Sequence, residues 1–265
     1  MDKAPPPAPR RARRTIVVTG AASGIGAATY ARYQKSGARV VGIDLHDSDI
    51  TADLGVPEGR HDAVSAVAER CGGTLDGAVV CAGLGPQCTP VECIPSVNYF
   101  GALEVLDGLL PLLAEGEAPA AVAIASNAAG LTPADATLLE RLQAGDEAGA
   151  RAAAATLDGA TVYGTGKLAL ARSLRRRAGA WGAHGVRLNA LAPGPVDTPL
   201  LAGGLEDPVL GPLIDALPVP LGRRATPQEI AGAVAFLLDP AHGYVHGAVL
   251  FVDGGTDALL RPDAV

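Results

Sequence analysis

Tyr163 and Lys167 lie four residues apart in Tyr163-Gly164-Thr165-Gly166-Lys167, a spacing that puts both on one face of a helix. Neither group moves a proton readily near neutral pH on its own, since a free phenol ionises near a pKa of about 10 and a free ammonium near about 10.4. A fixed cation beside the phenol favours phenolate and is expected to bring its pKa toward working pH, which would make Tyr163 a general acid/base. Chance produces this spacing often, so its meaning depends on what accompanies it.

The companion is Thr19-Gly20-Ala21-Ala22-Ser23-Gly24-Ile25-Gly26, which follows an apolar run and opens a helical one. Small residues there let the backbone approach a pyrophosphate, and a helix N-terminus offers free N–H groups and partial positive charge. In a strand–turn–helix context such a glycine turn signals dinucleotide binding. Asp44 follows 20 residues beyond Gly24. A carboxylate at that place can accept hydrogen bonds from ribose hydroxyls and repels a 2′-phosphate. No Lys or Arg lies near Ser23 or Asp44, so NAD is the expected cofactor, preferred over NADP.

The elements that must hold these groups are legible as alternating runs. Residues 15–19 read as a buried strand, 25–36 as a helix ended at Gly37, and 39–43 as a second strand, a βαβ unit of about 30 residues. Further strands are expected at 75–81, 120–126, 186–191 and 248–252. Helices are expected at 96–115, 161–181 and 227–238, with Pro111 kinking or breaking the first of them. Near-continuous apolar strands suit a parallel sheet covered on both faces. The expected fold is α/β, a Rossmann-type doubly wound three-layer sandwich with a central, mostly parallel seven-stranded sheet. Two segments interrupt the rhythm. Residues 132–158 form a polar, Ala-rich insert, helical in part. Residues 198–222 carry five prolines among leucines and are expected to be a substrate lid lined by Leu200, Leu201, Leu205, Leu210, Leu213 and Leu217.

Composition narrows the functional classes. The chain has 265 residues, 48% hydrophobic and 18% charged, with a net charge of −7, ample for a core and unlike a disordered chain. Residues 1–14, rich in Pro and Arg, read as a disordered tail, and 15–265 as one catalytic domain. An acidic body with three Phe and one Trp argues against nucleic acid as a partner. No run of 18 apolar residues suggests a membrane span, and the basic start lacks the apolar run of a secretory signal. Cys71, Cys81, Cys88 and Cys93 lack CxxC spacing, and His242 and His246 have no companion glutamate, so no metal site is expected. Four thiols without a signal point to the reducing cytoplasm.

Seven motifs in order then resemble the short-chain dehydrogenase/reductase family across residues 15–256: TGAASGIG (19–26), VCAG (80–83), VNYFG (97–101), ASNAAG (125–130), YGTGK (163–167), NALAPGPVDTP (189–199) and VDGG (252–255). The resemblance implies that Tyr163 is the general acid/base and that Lys167 lowers its pKa and holds the nicotinamide ribose. It implies that Ser126 polarises the carbonyl oxygen, with Asn127 a less favoured competitor, and that Asn98 binds a water in the proton relay from Lys167. Cofactor contacts are implied at Gly20, Ser23, Gly24, Ile25, Gly26 and Asp44. Further contacts are implied at Asp53 and Leu54 beside adenine, at Cys81, Ala82 and Gly83, and at Pro193, Gly194, Val196 and Thr198 near the nicotinamide.

The family's usual NNAG is VCAG here, which removes a side-chain amide that braces the sheet, and the separation of Ser126 from Tyr163 is lengthened by the insert. CAGLGPQ (81–87), SVNYFGA (96–102), AWGAHGVRLN (180–189) and YVHGA (244–248) resemble a branch that oxidises hydroxysteroids and reduces bulky carbonyls. The implied substrate is therefore a 3α-hydroxysteroid, its 3-ketone or a similar bulky apolar carbonyl. The alternatives are an aryl (coniferyl-type) alcohol, a biosynthetic ketone or, in another class, a silent NAD-binding regulator. The insert is expected to alter the family's usual helix contact and to give a homodimer that uses it.

Overall fold

β1 (Thr15–Thr19) is buried at every position, as an apolar run flanked by strands on both sides and helices on both faces must be. It belongs to a computed structural model that describes residues 13–263. In chain order there follow α1 (Gly24–Lys35), β2 (Arg39–Asp44), β3 (Ile50–Thr51), α2 (Pro57–Cys71), β4 (Gly77–Val80), α3 (Cys93–Pro95), a π-helical turn (Ser96–Gly101) and α4 (Ala102–Ala114). The second half runs β5 (Ala120–Ile124), α5 (Ala128–Leu131), α6 (Ala136–Ala144), α7 (Glu147–Ala154), α8 (Gly159–Ala183), β6 (Arg187–Pro193), α9 (Pro199–Glu206), α10 (Leu210–Asp215), α11 (Pro227–Leu238), β7 (Val249–Val252) and α12 (Thr256–Leu260).

The sheet order is β3-β2-β1-β4-β5-β6-β7, and every ladder is parallel, Val17 against Val41 and Ala78 for instance. The chain builds outward from β1 to β3 and then returns to β4. The carboxyl ends of β1 and β4 thus flank the point where strand order reverses, the place where open α/β sheets bind ligands. Two cores lie on opposite faces. One gathers α2, α4 and α8 through Val67, Leu106, Leu109, Leu170 and Trp181. The other gathers the α11 side through Ile16, Val122, Ile230 and Val234. Alanines make much of β5 and β6, with Ala120, Ala121, Ala123, Ala190 and Ala192 fully buried, so few aromatics are needed to fill the interior.

Several expectations need correction. The tail was to span 1–14; residues 1–12 lie outside the described residues, but Arg14 belongs to the fold. Its guanidinium donates to the carbonyls of Leu238 (3.2 Å) and Asp76 (2.8 Å). Pro111 does not break the helix, because α4 runs through it. Pro111 is exposed, so the carbonyl that loses its partner faces water. The helix around Asn98 starts as a π-turn and not as regular α-helix. The expected lid is two short helices, α9 and α10. The seventh strand is the two-residue β3, too short to show a pattern.

The stretch Cys93–Ala114 is long and apolar enough to cross a membrane by composition; here Ile94, Leu103, Leu106, Leu109 and Leu113 lie in the core. The insert forms α6 and α7, capped by Asp135 and Asp146, whose carboxylates accept from the Leu138 and Gly149 N–H groups. Leu138, Leu142, Ala150 and Ala154 are fully buried, Leu139 and Leu157 are half-buried, and Ala136, Ala144, Ala148, Ala152 and Ala155 are exposed.

Candidate active site

The glycine turn shows why it is made of glycines. Gly20 and Gly24 have φ of +67° and +52°, a region that L side chains rarely adopt. A Cβ on Gly26 would stand 1.9 Å from the Gly20 carbonyl oxygen, so no larger residue lets α1 start against the turn. Ser23 precedes α1 without capping it through its side chain, which leaves first-turn N–H groups facing the cleft. Asp44 ends β2 beside this turn. One of its carboxylate oxygens accepts from the Ala22 N–H (2.9 Å) and the other from the Leu45 N–H (2.7 Å).

The VCAG departure is compensated locally. Thr19 Oγ1 accepts from the N–H groups of both Cys81 and Ala82, each at 3.1 Å, and so ties the end of β1 to the end of β4. Asn98 holds the next residues: its Oδ1 accepts from the Leu84 N–H (2.7 Å) and its Nδ2 donates to the Leu84 carbonyl (2.9 Å). Cys81 packs among these groups, and burial pushes its thiol pKa up to about 12 against the opposing field of Lys167.

Asp158 caps α8 by accepting from the Thr161 N–H (2.9 Å), and Tyr163 follows in the second turn. Lys167, one turn further and 5% exposed, donates from Nζ to the Ile124 carbonyl at the end of β5 (2.8 Å). Its Nζ stands 5.6 Å from the centroid of the Tyr163 ring. Ser126 follows β5; its Oγ accepts from the Ala128 N–H (3.2 Å) and lies beside the Tyr163 phenol in the cleft. Asn127 lines the cleft too, and its Nδ2 is buried without a partner among the described residues. The electrostatics differ from the sequence expectation. Burial raises the Tyr163 pKa, and the Ser126 bond is the group lowering it. Burial likewise pushes Lys167 down to about 8, with Cys81 opposing. Both groups are thus held toward their neutral forms, because desolvation disfavours either charge.

A cleft of about 520 Å³ joins these parts, well within the range of small-molecule sites. Of the expected site residues, all but Asn98, Lys167 and Leu205 line it. Asn98 and Lys167 stand behind its wall. Leu205 lies at the packing of α9 on α10, where its carbonyl closely faces Gly211, and Gly204 and Ile214 line the cleft instead. Pro86, Gln87, Val97 and Thr132 also line it and were not anticipated. Gln87 lies in the CAGLGPQ run, and its Nε2 donates to the Leu200 carbonyl of the lid (3.0 Å). The cradle that a Cβ would fill, the free first-turn N–H groups and the Asp44 carboxylate together fit a dinucleotide.

His242 and His246 serve the fold. His246 Nδ1 accepts from the Leu188 N–H (3.0 Å), and the His242 ring packs on Phe236 at 4.0 Å.

The chain matches two family models, "short chain dehydrogenase" over residues 14–137 and "Enoyl-(Acyl carrier protein) reductase" over residues 148–257. It is 48% identical over 251 residues to the 3-alpha-hydroxysteroid dehydrogenase/carbonyl reductase of Comamonas testosteroni, covering 93% of this chain and 98% of that one. The cis-4-hydroxycyclohexanecarboxylate dehydrogenase of Sinomonas cyclohexanicum is 31% identical, with 94% and 98% covered. Among solved structures, the 3-alpha-hydroxysteroid dehydrogenase from Pseudomonas sp. B-0831 complexed with NADH superposes with a TM-score of 0.93 at 45% identity, covering 95% of this chain and 100% of that one.

Proposed function

This chain belongs to the short-chain dehydrogenase/reductase family, oxidoreductases that act on CH–OH groups with a nicotinamide cofactor, and on that premise we propose that it interconverts 3α-hydroxysteroids, or similarly bulky apolar alcohols, with their ketones, using NAD. One observation carries this reading: Ser126 and Tyr163 line a single cleft between the dinucleotide cradle and a lid whose facing side chains, Leu200, Leu201, Leu210, Leu213, Ile214 and Leu217, are all apolar. The kinship with hydroxysteroid dehydrogenases supports the same substrate class.

In this reading Gly20, Ser23, Gly24, Ile25 and Gly26 hold the pyrophosphate. Asp44 takes the ribose hydroxyls, whose donors suit its carboxylate and whose phosphorylated form it would repel. Asp53 and Leu54 flank adenine, while Cys81, Ala82, Gly83, Pro193, Gly194, Val196 and Thr198 wall the nicotinamide half. Bound there, the cofactor supplies hydride transfer.

Tyr163 Oη exchanges the proton of the substrate hydroxyl, and the Ser126 hydroxyl donates to the oxygen as it gains negative charge. Lys167, anchored on Ile124, holds the nicotinamide ribose; its cation also favours the phenolate that burial opposes. Because the Asn98 amide is engaged by Leu84, a relay water from Lys167 would be held by the main chain at Asn98 and not by its side chain. The lid excludes water from the reacting carbon.

The test is NADH formation by the purified chain with NAD and a 3α-hydroxysteroid, beside NADP and Tyr163→Phe. Turnover is expected to require NAD and to fall by about 10²–10⁴ in Tyr163→Phe, with NAD binding retained. Tight NAD binding without steroid turnover would discard the steroid and favour aryl alcohols or smaller ketones.

The assembly is proposed as a cytoplasmic homodimer, a setting that the four free thiols support. The larger apolar side chains of the insert, Leu138 and Leu142, are buried within its own chain, and what it turns outward is small alanines such as Ala136, Ala144, Ala148 and Ala152 beside Glu140 and Arg141. The half-exposed edge strand β7, with Phe236 and the fully exposed Tyr244, is the better surface for a second copy, since an open edge invites pairing.

A further inference from the structure

Arg60 on α2 is the largest buried charged side chain among the described residues, 1% exposed, and it takes no part in the chemistry above. Its Nε donates to the Leu54 carbonyl (2.8 Å), and Nη2 donates to the carbonyls of Gly55 (3.2 Å) and Ser96 (3.0 Å). Nη1 donates to Glu104 (2.9 Å), and both terminal nitrogens grip Glu147 at 2.8 and 2.7 Å. Glu147 opens α7 of the insert. One turn later Arg151 donates to Ser96 Oγ (2.9 Å). Burial works against the charge on Glu147, yet the bonds from Arg60 and Ser96 and the fields of Arg60 and Arg151 hold its carboxyl below the usual range.

The three carbonyls that Arg60 holds belong to two walls of the cleft. Leu54 and Gly55 continue the Asp53–Leu54 wall, and Ser96 starts the π-turn whose Val97 lines the cleft. The walls also touch each other. A Cβ on Gly55 would come 3.3 Å from Val97, and one on Gly101 would come 2.6 Å from the Leu54 carbonyl oxygen. No residue of α6 or α7 lines the cleft.

We propose that α7 of the insert acts on the cofactor side of the cleft: Glu147 is a positioning residue that, by clamping Arg60, fixes the Asp53–Gly55 wall and the π-turn around the adenosine half of the dinucleotide. A bidentate carboxylate sets both the place and the plane of a guanidinium, and the planar fork passes that placement to the backbone carbonyls it holds. Without Glu147 the one remaining carboxylate, Glu104, is bound through a single nitrogen, and the other acceptors are the wall carbonyls themselves, so nothing outside the walls fixes the fork in two places. The inference rests on the adenine being bound at Asp44, Asp53 and Leu54.

The test compares wild type, Glu147→Ala, Glu147→Gln and the exposed insert control Glu140→Ala, each shown to be folded by circular dichroism. Calorimetry with AMP and with nicotinamide mononucleotide needs no activity and separates the two halves of the site. In Glu147→Ala the Kd for AMP and the KM for NAD are expected to rise about tenfold, while the Kd for nicotinamide mononucleotide, the KM for the alcohol and kcat stay within about twofold. Glu147→Gln, which keeps one acceptor for Arg60, should fall between, and it carries the test if the alanine variant does not fold. Glu140→Ala should match wild type. Unchanged AMP affinity in the Glu147 variants, or equal losses for both half-ligands, overturns the proposal alone. Absence of AMP binding in wild type overturns the adenine placement itself.

Discussion

Replacing Asn98 by alanine asks whether its amide builds the cleft wall or moves protons. The side chain is 1% exposed, and both its ends are engaged by Leu84, at 2.7 and 2.9 Å. Alanine leaves the Leu84 N–H and C=O without partners, and each orphaned backbone group costs about 1–3 kcal/mol. Leu84 lines the cleft, so water reaches it in part and the lower half of that range applies, a total of about 2–4 kcal/mol. With a slope of about 3 kcal/mol per molar urea for a chain of this size, the unfolding midpoint should fall by roughly 1 M without a change of slope. Asn98→Asp keeps the acceptor for the N–H but sets a carboxylate against the Leu84 carbonyl, so a comparable fall is expected. Urea titration followed by circular dichroism, with kcat measured on the folded fraction, decides the matter. An alanine variant as stable as wild type whose kcat drops a hundredfold would refute the reasoning and place the amide in the proton path.

Asp44→Ala should raise the ratio of kcat/KM for NADP over that for NAD at least tenfold, about 1.4 kcal/mol; steady-state kinetics with both cofactors checks it, and an unchanged ratio would remove Asp44 from the ribose. Lys167, held at about 8 against a free value of 10.5, binds its proton less tightly folded than unfolded. Its destabilising contribution is therefore complete below about pH 8 and fades as pH rises toward 10.5, so wild type should gain stability relative to Lys167→Met between pH 8 and 10 in urea titrations. Tyr244→Glu puts a charge on the exposed β7 side and should halve the mass seen by light scattering, whereas charges on the outward face of α6 should leave it unchanged.

The parts of the site legible in the sequence were those fixed by covalent spacing. Tyr163 and Lys167 share a helix face because one turn separates them, and the glycines of residues 20–26 are required by φ values and contacts within one short turn. Asp44 was legible as a carboxylate beside the glycine turn because the end of the second strand is a predictable place in a βαβ unit. What escaped depends on chain crossings. Gln87 meets the lid carbonyl of Leu200 more than a hundred residues away, and Thr19 at the end of β1 bonds the end of β4 some sixty residues on. Leu205 looked like its neighbouring leucines, but helical phase, fixed only when α9 packed on α10, took it out of the lining. The direction of the Tyr163 and Lys167 shifts was hidden for a related reason. Helical spacing gives the proximity of Lys167 to Tyr163, but burial, which proved the larger effect on both, comes from the whole fold. Arg60 carries no signal in the sequence, because its carboxylate partners lie on α4 and the insert.

The parallel sheet constrains how the molecule comes into being. β1 pairs Ile16 with Val40 on one side and with Gly77 on the other, and no two neighbouring strands are joined by a hairpin turn. Central ladders of this kind cannot zip up from a local start, because each must first close a long loop. During synthesis the first strand remains half-paired until residue 80 and beyond have left the ribosome. Helices such as α8 can form early from local contacts, whereas Trp181, 1% exposed, becomes enclosed only when α8 docks on a finished sheet. The lone tryptophan therefore reports completion of the interior, and its fluorescence should lag the helical signal when the chain refolds.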